Sequence, residues 1–327
     1  MTVAPELVDR FRADLERLWP FVVTGPERLG LAVSGGGDSL ALLLLGHALL
    51  PGRVEVATVD HGLRPESADE AAMVAAHCAR LGVPHTALRV NVASGNLQDR
   101  ARAARYEALG AWCEERELDG LATGHQMDDQ VETMVMRLNR GSGLSGLAGI
   151  RALGAVPGVP IRLVRPLLRW RRAELAALVA DAGWTAVHDP SNDSAGFDRV
   201  RIRQALASAD WLDPQGVERS ARLLAEADTA LEWMIGREYN ECVSAGAGEA
   251  VYRALRTGSV GTLIRGGVIR SIFRGLGAEI GRAQASGIAE SLIAGGKTNV
   301  AGIQARVRDD DGERVWVFAP ETPRRSG

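Results

Sequence analysis

Lysine is almost missing from this chain. Lys297 is the only one in 327 residues, although Lys and Arg together number 38, so arginine carries nearly all the positive charge. The usual triphosphate-binding loop needs a lysine followed by Ser or Thr after its second glycine, so that loop is excluded. Cysteine is scarce as well. Cys78, Cys113 and Cys242 lie far apart and form no C-x-x-C pair, which excludes a zinc knuckle, an iron-sulfur ligand set and a disulfide framework, and suits a reducing compartment. A long apolar run is lacking at the N-terminus, where MTVAPELVDRFRADLERLWP carries charges throughout. The segment reads as neither signal peptide nor membrane span, so the expectation is a cytoplasmic protein with no membrane partner. There is no internal repeat and no low-complexity tract. With 46% hydrophobic and 24% charged residues, the composition is that of a globular protein with two domains.

Against these absences stands LAVSGGGDSL, residues 31–40. An apolar strand opens into three glycines and then into the helical stretch DSLALLLLGHALL. That order puts unpaired N–H groups at the positive end of a helix, an anion cradle of Ser34, Gly35, Gly36, Gly37, Asp38 and Ser39. The glycines are consecutive and do not alternate as the dinucleotide fingerprint requires. Short apolar runs and helical stretches then alternate through VEVATVD, a helix near 66–81, PHTALRVN, a helix near 98–116 and DGLATGH. The expected fold is α/β, a Rossmann-like parallel sheet with helices on both faces. Ligands sit at the carboxyl ends of such strands. Three polar clusters fall there: SGGGDS, DHGLRPES with Asp60 and His61, and TGHQMDD.

A helix beginning by His125 would project His125, Asp129 and Glu132 from one face, since they are spaced i, i+4 and i+7. With Asp128 they crowd three carboxylates and an imidazole together, which repel unless cations or donors intervene. Such carboxylates suit Mg²⁺ held on nucleotide phosphates, or proton transfer. NLQDRARAARY offers Asn96 and Gln98 at a polar entry, then Arg102, Arg105 and Tyr106. Arg199, Arg201 and Arg203 in DRVRIR alternate with apolar residues and are candidates for phosphate.

The organisation along the chain is a nucleotide-binding domain over 1–211, with its core at 29–206, a helical connector over 212–248, and a small α+β domain over 249–327. In the last, IQARVRDDDGERVWVFA reads as a hairpin turning at Asp-Gly. From Asp213 to Glu249 eight carboxylates face three arginines, whereas from Ala250 to Arg308 nine basic residues face two acidic ones. That asymmetry points to a polyanionic partner for the second domain.

SGGGDS resembles the pyrophosphate-binding loop of the PP-loop ATP pyrophosphatases. VDHGLR, NLQ...ARxxRY, ATGHxxDDQxETxxxRLxRGxGxxGLxG, RPLL, DPSN and RxRIR, in that order, resemble the tRNA(Ile)-lysidine synthetases, closely over residues 29–206. The resemblance implies an ATP-dependent ligase that adenylates the C2 oxygen of the wobble cytidine of tRNA(Ile) with a CAU anticodon. The ε-amine of free L-lysine then displaces AMP. It further implies that N–H groups of Gly35 to Ser39 and the hydroxyls of Ser34 and Ser39 hold pyrophosphate, with Asp60 and His61 near the nucleotide. Asp38 with Asp129 or Glu132 would place Mg²⁺, and a carboxylate or His125 would deprotonate lysine. Arg102, Arg105, Arg199, Arg201 and Arg203 would meet the RNA, and there is room for a homodimer. Three positions depart from the family pattern: Gln126 stands where a second histidine is frequent, His188 where an acid is, and Val200 where asparagine is. The second domain matches weakly and corresponds to the shorter architecture. A tRNA thiolase of the same superfamily, a small-molecule amidating ligase and a nucleotide-sensing module are the rival readings.

Overall fold

A computed structural model describes residues 3–60, 62, 66–90, 97–187, 198–246, 248–254 and 260–321. The chain divides into two compact units, Met1–Ala225 and Glu226–Gly327.

The first unit opens with helices α1 (Pro5–Leu18) and α2 (Pro20–Thr24). Strand and helix then alternate: β1 (Leu29–Ala32), α3 (Gly37–Leu49), β2 (Val54–Asp60), α4 (Glu66–Leu81), β3 (His85–Arg89), α5 (Leu97–Glu115), β4 (Gly120–Thr123) and α6 (Met127–Asn139). A short α7 (Leu144–Leu147), β5 (Leu153–Ala155), β6 (Arg162–Val164), α8 (Arg172–Asp181) and α9 (Asp198–Ala207) follow. The strands order as β3-β2-β1-β4-β6-β5. Every pair is parallel except β5 with β6, which adds an antiparallel edge.

The sheet is buried on both sides, which is why its strands read as continuous apolar runs. On one face α1, α3 and α8 supply Phe11, Leu15, Leu40 to Leu45, Leu175 and Leu178. Leu40 to Leu45 are buried without a break because α3 is enclosed all round. On the other face Tyr106, Leu109 and Trp112 of α5 pack on Leu121 and Leu163. The Trp112 ring packs against β1, where a Cβ on Gly30 would come within 2.7 Å of it. The expected α/β fold with helices on both faces is thus observed.

β1 leaves for β2 on one side, and the chain later returns as β4 on the other. The strand order reverses between β1 and β4, so a crevice opens at their carboxyl ends. The loop after β1 is SGGG, and the loop after β4 carries His125.

Helix α10 (Pro214–Cys242) spans the change from one unit to the other. The second unit holds β7 (Val243–Gly246), β8 (Glu249–Tyr252), α11 (Thr262–Gly275), α12 (Arg282–Ile293), β9 (Lys297–Val300), β10 (Ile303–Asp310) and β11 (Glu313–Pro320). Its sheet is antiparallel with order β7-β8-β11-β10-β9. Tyr252, Trp316 and Phe318 of the sheet pack on Ile269, Ile272 and Phe273 of α11 and on Ile288 and Leu292 of α12. β10 and β11 form the expected hairpin. Asp311 and Gly312 at its turn have φ of 54° and 83°, the two positive values that a tight primed turn demands. Among the described residues no helix is long and apolar enough to cross a membrane.

Candidate active site

The glycine loop closes on itself before any ligand is considered. Ser39 Oγ donates to the Gly36 carbonyl at 2.8 Å and accepts the Ser34 N–H at 3.2 Å. Ser39 is buried, so its hydroxyl shapes the loop. Gly35 has φ of 91°, a conformation that L side chains resist. Its carbonyl accepts the Val187 N–H at 3.0 Å, which ties the loop to the segment after α8. α3 begins at Gly37 with Gly36 as its cap and no side-chain capping bond. Among the described residues, the N–H groups of Gly36, Gly37 and Asp38 therefore have no acceptor, which is the arrangement that binds an anion. Gly124 completes the cradle. A Cβ there would stand 3.0 Å from the Asp38 carbonyl oxygen and 3.1 Å from Ser39 Cα, so only glycine lets the β4 loop approach the start of α3.

The acidic helix starts two residues later than the sequence suggests. α6 begins at Met127, and Gln126 caps it. The Gln126 side-chain oxygen accepts the Asp128 N–H, while Asp129 Oδ2 accepts the Gln126 N–H at 3.1 Å. His125 consequently lies in the strand-to-helix loop and does not share a helix face with Asp129 and Glu132. The family departure at Gln126 supplies this cap.

The carboxylates of α6 are met by arginines from far along the chain. Asp128 receives Arg171 through Nε and Nη2 at 3.0–3.3 Å and the Arg172 N–H at 2.8 Å, which fixes the start of α8. Asp129 Oδ1 receives Arg199 at 3.0 Å and Arg172 at 3.3 Å. Glu132, 2% exposed, receives Arg199 at 2.7 Å, Arg203 at 2.8 Å and Arg172 at 3.2 Å. Burial alone would raise the Glu132 carboxyl, but hydrogen bonds from Arg203 and Arg199 and the charges of Arg199 and Arg172 carry it below its ordinary value. Arg199 and Arg203, one turn apart on α9, thus clamp Glu132. The alternation read in DRVRIR is a helix, and carboxylates take two of its arginines. Arg201, between them, is exposed.

Asp38 is different. Its nearest arginine contact is Arg172 Nε at 4.0 Å. Burial, and then the charge of Asp129, push its carboxyl up to about 6, against the pull of Arg172 and the Gln126 amide. Asp129 is likewise raised, by burial first. Asp38, short of positive charge beside an open row of N–H groups, fits a divalent ion carried in with phosphates, which takes one or two protein carboxylates. Glu132 does not fit that role, because arginines occupy both its oxygens. Among the described residues no group of three His, Cys, Asp or Glu side chains could hold a metal by itself.

A pH-dependent stability follows from Asp38. A carboxyl raised on folding favours the folded state while protonated, so its penalty is absent below about pH 4 and complete above about pH 6. In nucleotide-free protein, Asp38→Asn is expected to melt higher than wild type at pH 8, by an amount on the order of 2 kcal/mol, and equally at pH 4. Melting curves at the two pH values check this; an Asp38→Asn protein that is less stable at pH 8 contradicts it.

His125 Nδ1 pairs with Thr123 Oγ1 at 2.8 Å. Burial and the charges of Arg165, Arg105, Arg102 and Arg199 push its pKa down to about 3, so the ring is neutral and a poor proton acceptor. Asp60, at the end of β2, accepts the Gly62 N–H at 2.8 Å; His61, Asn96 and the DPSN stretch lie outside the described residues. The rest of the long motif folds the chain after α6. Gln130 exchanges two hydrogen bonds with the Ile150 backbone at 2.6 and 3.1 Å, and Arg137 donates to the Gly146 and Gly149 carbonyls at 2.7 and 2.9 Å.

Comparison with known proteins meets this geometry. A PP-loop domain description matches residues 8–209. A tRNA(Ile)-lysidine synthase of Novosphingobium aromaticivorans is 53% identical over 230 residues, covering 70% of this chain and 69% of that one. The tRNA(Ile)-lysidine synthase of Zymomonas mobilis is 41% identical over 269 residues, covering 76% and 81%.

The chain belongs to the tRNA(Ile)-lysidine synthase family.

Among solved structures it is similar to the U34-tRNA thiolase NcsA from Methanococcus maripaludis with its [4Fe-4S] cluster, with a TM-score of 0.57 at 18% identity, covering 68% of this chain and 78% of that one. That likeness bears on fold alone, and supports the PP-loop reading of the first unit. In this member of the lysidine synthase family the reading of single residues missed Arg171, Arg172 and Arg165. The signal for the first two was present: the crowded acids of α6 require cations, and RWRR at 169–172 is the densest run of them.

Proposed function

We propose that this chain joins L-lysine to the wobble cytidine of a tRNA(Ile) with a CAU anticodon, using ATP. The observation that carries the reading is the row of unpartnered N–H groups at Gly36, Gly37 and Asp38 beside the Asp38 carboxylate, which no cation approaches closer than 4.0 Å among the described residues, at the crevice where the strand order reverses. The row would take the pyrophosphate of ATP, and Asp38 would hold Mg²⁺. That ion supplies charge neutralisation to the leaving pyrophosphate. The C2 oxygen of cytosine attacks the α-phosphorus and pyrophosphate leaves. The ε-amine of lysine then attacks C2, the C2–O bond breaks and AMP departs. Both steps ask the protein for alignment and charge placement more than for covalent help.

The lysine ammonium must first lose a proton. Asp129, raised by burial, suits that transfer better than His125, whose pKa lies near 3. The second unit would grip the RNA. On its sheet Arg253 and Arg308 are paired with Asp310, Glu313 and Glu249, and the exposed Lys297, Arg306 and Arg314 of the sheet and Arg274 of α11 are the cations that would meet phosphate. A cytoplasmic location fits such a substrate.

Thiolase chemistry is disfavoured by the thiols themselves. Cys78, Cys113 and Cys242 are all buried, and burial pushes Cys78 and Cys113 up to about 12, far from the thiolate that sulfur transfer needs. The test is to incubate the protein with ATP, lysine and a CAU-anticodon transcript, then digest the RNA and weigh its nucleosides. Lysidine in place of one cytidine is expected. Thiolated base, or unchanged cytidine with an amidated small molecule, would overturn the reading.

A further inference from the structure

Arg165 follows β6 and is 7% exposed. Its Nη1 donates to the Arg151 carbonyl at 2.6 Å and its Nη2 reaches the Tyr106 hydroxyl at 3.5 Å. Its Nε is buried with no hydrogen-bond partner. Across the same phenol, the guanidinium carbons of Arg102 and Arg105 stand 5.1 and 5.4 Å from the ring centre. Among the described residues none of these three guanidiniums is paired with a carboxylate, in contrast to Arg171, Arg172, Arg199 and Arg203.

Arg165 is buried and Arg105 half-buried, and a guanidinium withdrawn from water without a counter-ion is unfavourable; the exposed Arg102 adds a third positive charge at the same phenol. Their field is felt by the neighbours. It helps hold His125 neutral, and it draws the Tyr106 phenol below its ordinary value although burial would raise it. The missing member of the cluster is an anion, and planar guanidinium forks match phosphate.

Which phosphate follows from the layers of the fold. α3, whose first turn bears the glycine cradle, packs on one face of the sheet, whereas Tyr106 packs on the other with Leu121 and Leu163. The start of α5, His125 and Arg165 all stand at the carboxyl ends of strands, the edge the crevice opens on. A nucleotide seated on the cradle has its own donors there, so the cluster beyond β4 faces a second anion.

We infer that Arg102, Arg105 and Arg165, with the Tyr106 hydroxyl, form a phosphate subsite for a backbone phosphodiester of the RNA, next to the nucleotide that reacts. The subsite rests on RNA being the substrate as proposed above, and it adds Arg165 and Tyr106 to the residues that hold it.

The test compares wild type with Arg102→Gln, Arg105→Gln and Arg165→Gln, after circular dichroism has established that each is folded. Affinity for a CAU anticodon stem-loop RNA and for ATP is measured at several salt concentrations. RNA affinity is expected to fall about tenfold in each variant, with the slope of log affinity against log salt reduced by about 0.7 per lost single-strand contact. ATP affinity should stay within twofold. A single methylphosphonate in the loop should reproduce the loss in wild type and add nothing in Arg165→Gln. Should Arg165→Gln fail to fold, Arg102→Gln and Arg105→Gln carry the test, since neither donates to a backbone carbonyl. Unchanged RNA affinity and slope in the folded variants overturn the subsite alone. A fall in ATP affinity with RNA affinity intact also overturns it, and assigns the cluster to the nucleotide's phosphates. Wild-type protein that does not bind the stem-loop at all removes both this subsite and the RNA reading.

Discussion

Glu132→Gln is expected to lower the rate of lysidine formation by a hundredfold or more and to cost the fold about 3 kcal/mol. The carboxylate is 2% exposed and accepts from three arginines that belong to two other helices, α8 and α9. An amide keeps the shape and loses the charge. It also turns one acceptor into a donor facing guanidinium groups that can only donate. Arg172 and Arg199 would keep Asp129, whereas Arg203 would lose its carboxylate and α9 would lose the clamp that ties it to α6. Arg172, which also stands 4.0 Å from Asp38, would be free to move toward that carboxyl and compete with any cation there. The loss therefore comes from misplacing the arginines, and it should appear in turnover together with a lower melting temperature. Lysine incorporation and thermal melting measured on the same preparation check it. A folded Glu132→Gln protein with near-normal turnover would mean that the clamp is dispensable.

Gly36→Val is the complementary case, with a large effect on ligand and a small one on the fold. Gly36 has no positive φ, and a Cβ placed on it meets only Ser34 Oγ, at 3.8 Å. The side chain would instead enter the space in front of the open N–H groups of Gly36, Gly37 and Asp38, where a phosphate oxygen must come within hydrogen-bond range. ATP affinity is expected to fall on the order of a hundredfold or more, about 2.7 kcal/mol, with the melting temperature of the nucleotide-free protein almost unchanged. Calorimetric titration with ATP and a melt without it separate the two quantities. Wild-type ATP affinity in folded Gly36→Val would remove the cradle from the account.

These two residues also mark what could and could not be read from the sequence. The cradle was legible because everything it needs is local: an apolar strand, three glycines and a helix within twenty residues. The parallel sheet was legible for the same reason, since its strands are buried on both faces and stand out as apolar runs between helices. The hairpin at Asp311 and Gly312 announced itself through its turn. The antiparallel edge strand β5 did not, being three exposed residues. β7 and β9, the two edges of the second sheet, are four residues each with none buried, too short to stand out as strands.

The acidic helix was half legible. Its carboxylates were evident, but their partners are not near in sequence: the arginines that reach Glu132 lie 40, 67 and 71 positions away. The helix start was misplaced because Gln126 is an uncommon cap, and Ser, Thr, Asp or Asn is the expected signal. That shift of two residues removed His125 from the catalytic face and changed the reading of its chemistry. Arg199, Arg201 and Arg203 look strand-like by alternation, yet the i, i+4 spacing of Arg199 and Arg203 is equally present in the letters. Only the fold shows that Glu132 lies opposite them.

The order in which the two small products leave tests the central claim most directly. With ATP and the CAU-anticodon transcript but no lysine, activation of the cytidine should release pyrophosphate up to one equivalent of enzyme and retain AMP on the RNA. Adding lysine should then release AMP in step with lysidine. Pyrophosphate release from ATP and lysine without RNA would contradict this, because it would mean that lysine, and not the cytidine, is the group the enzyme adenylates.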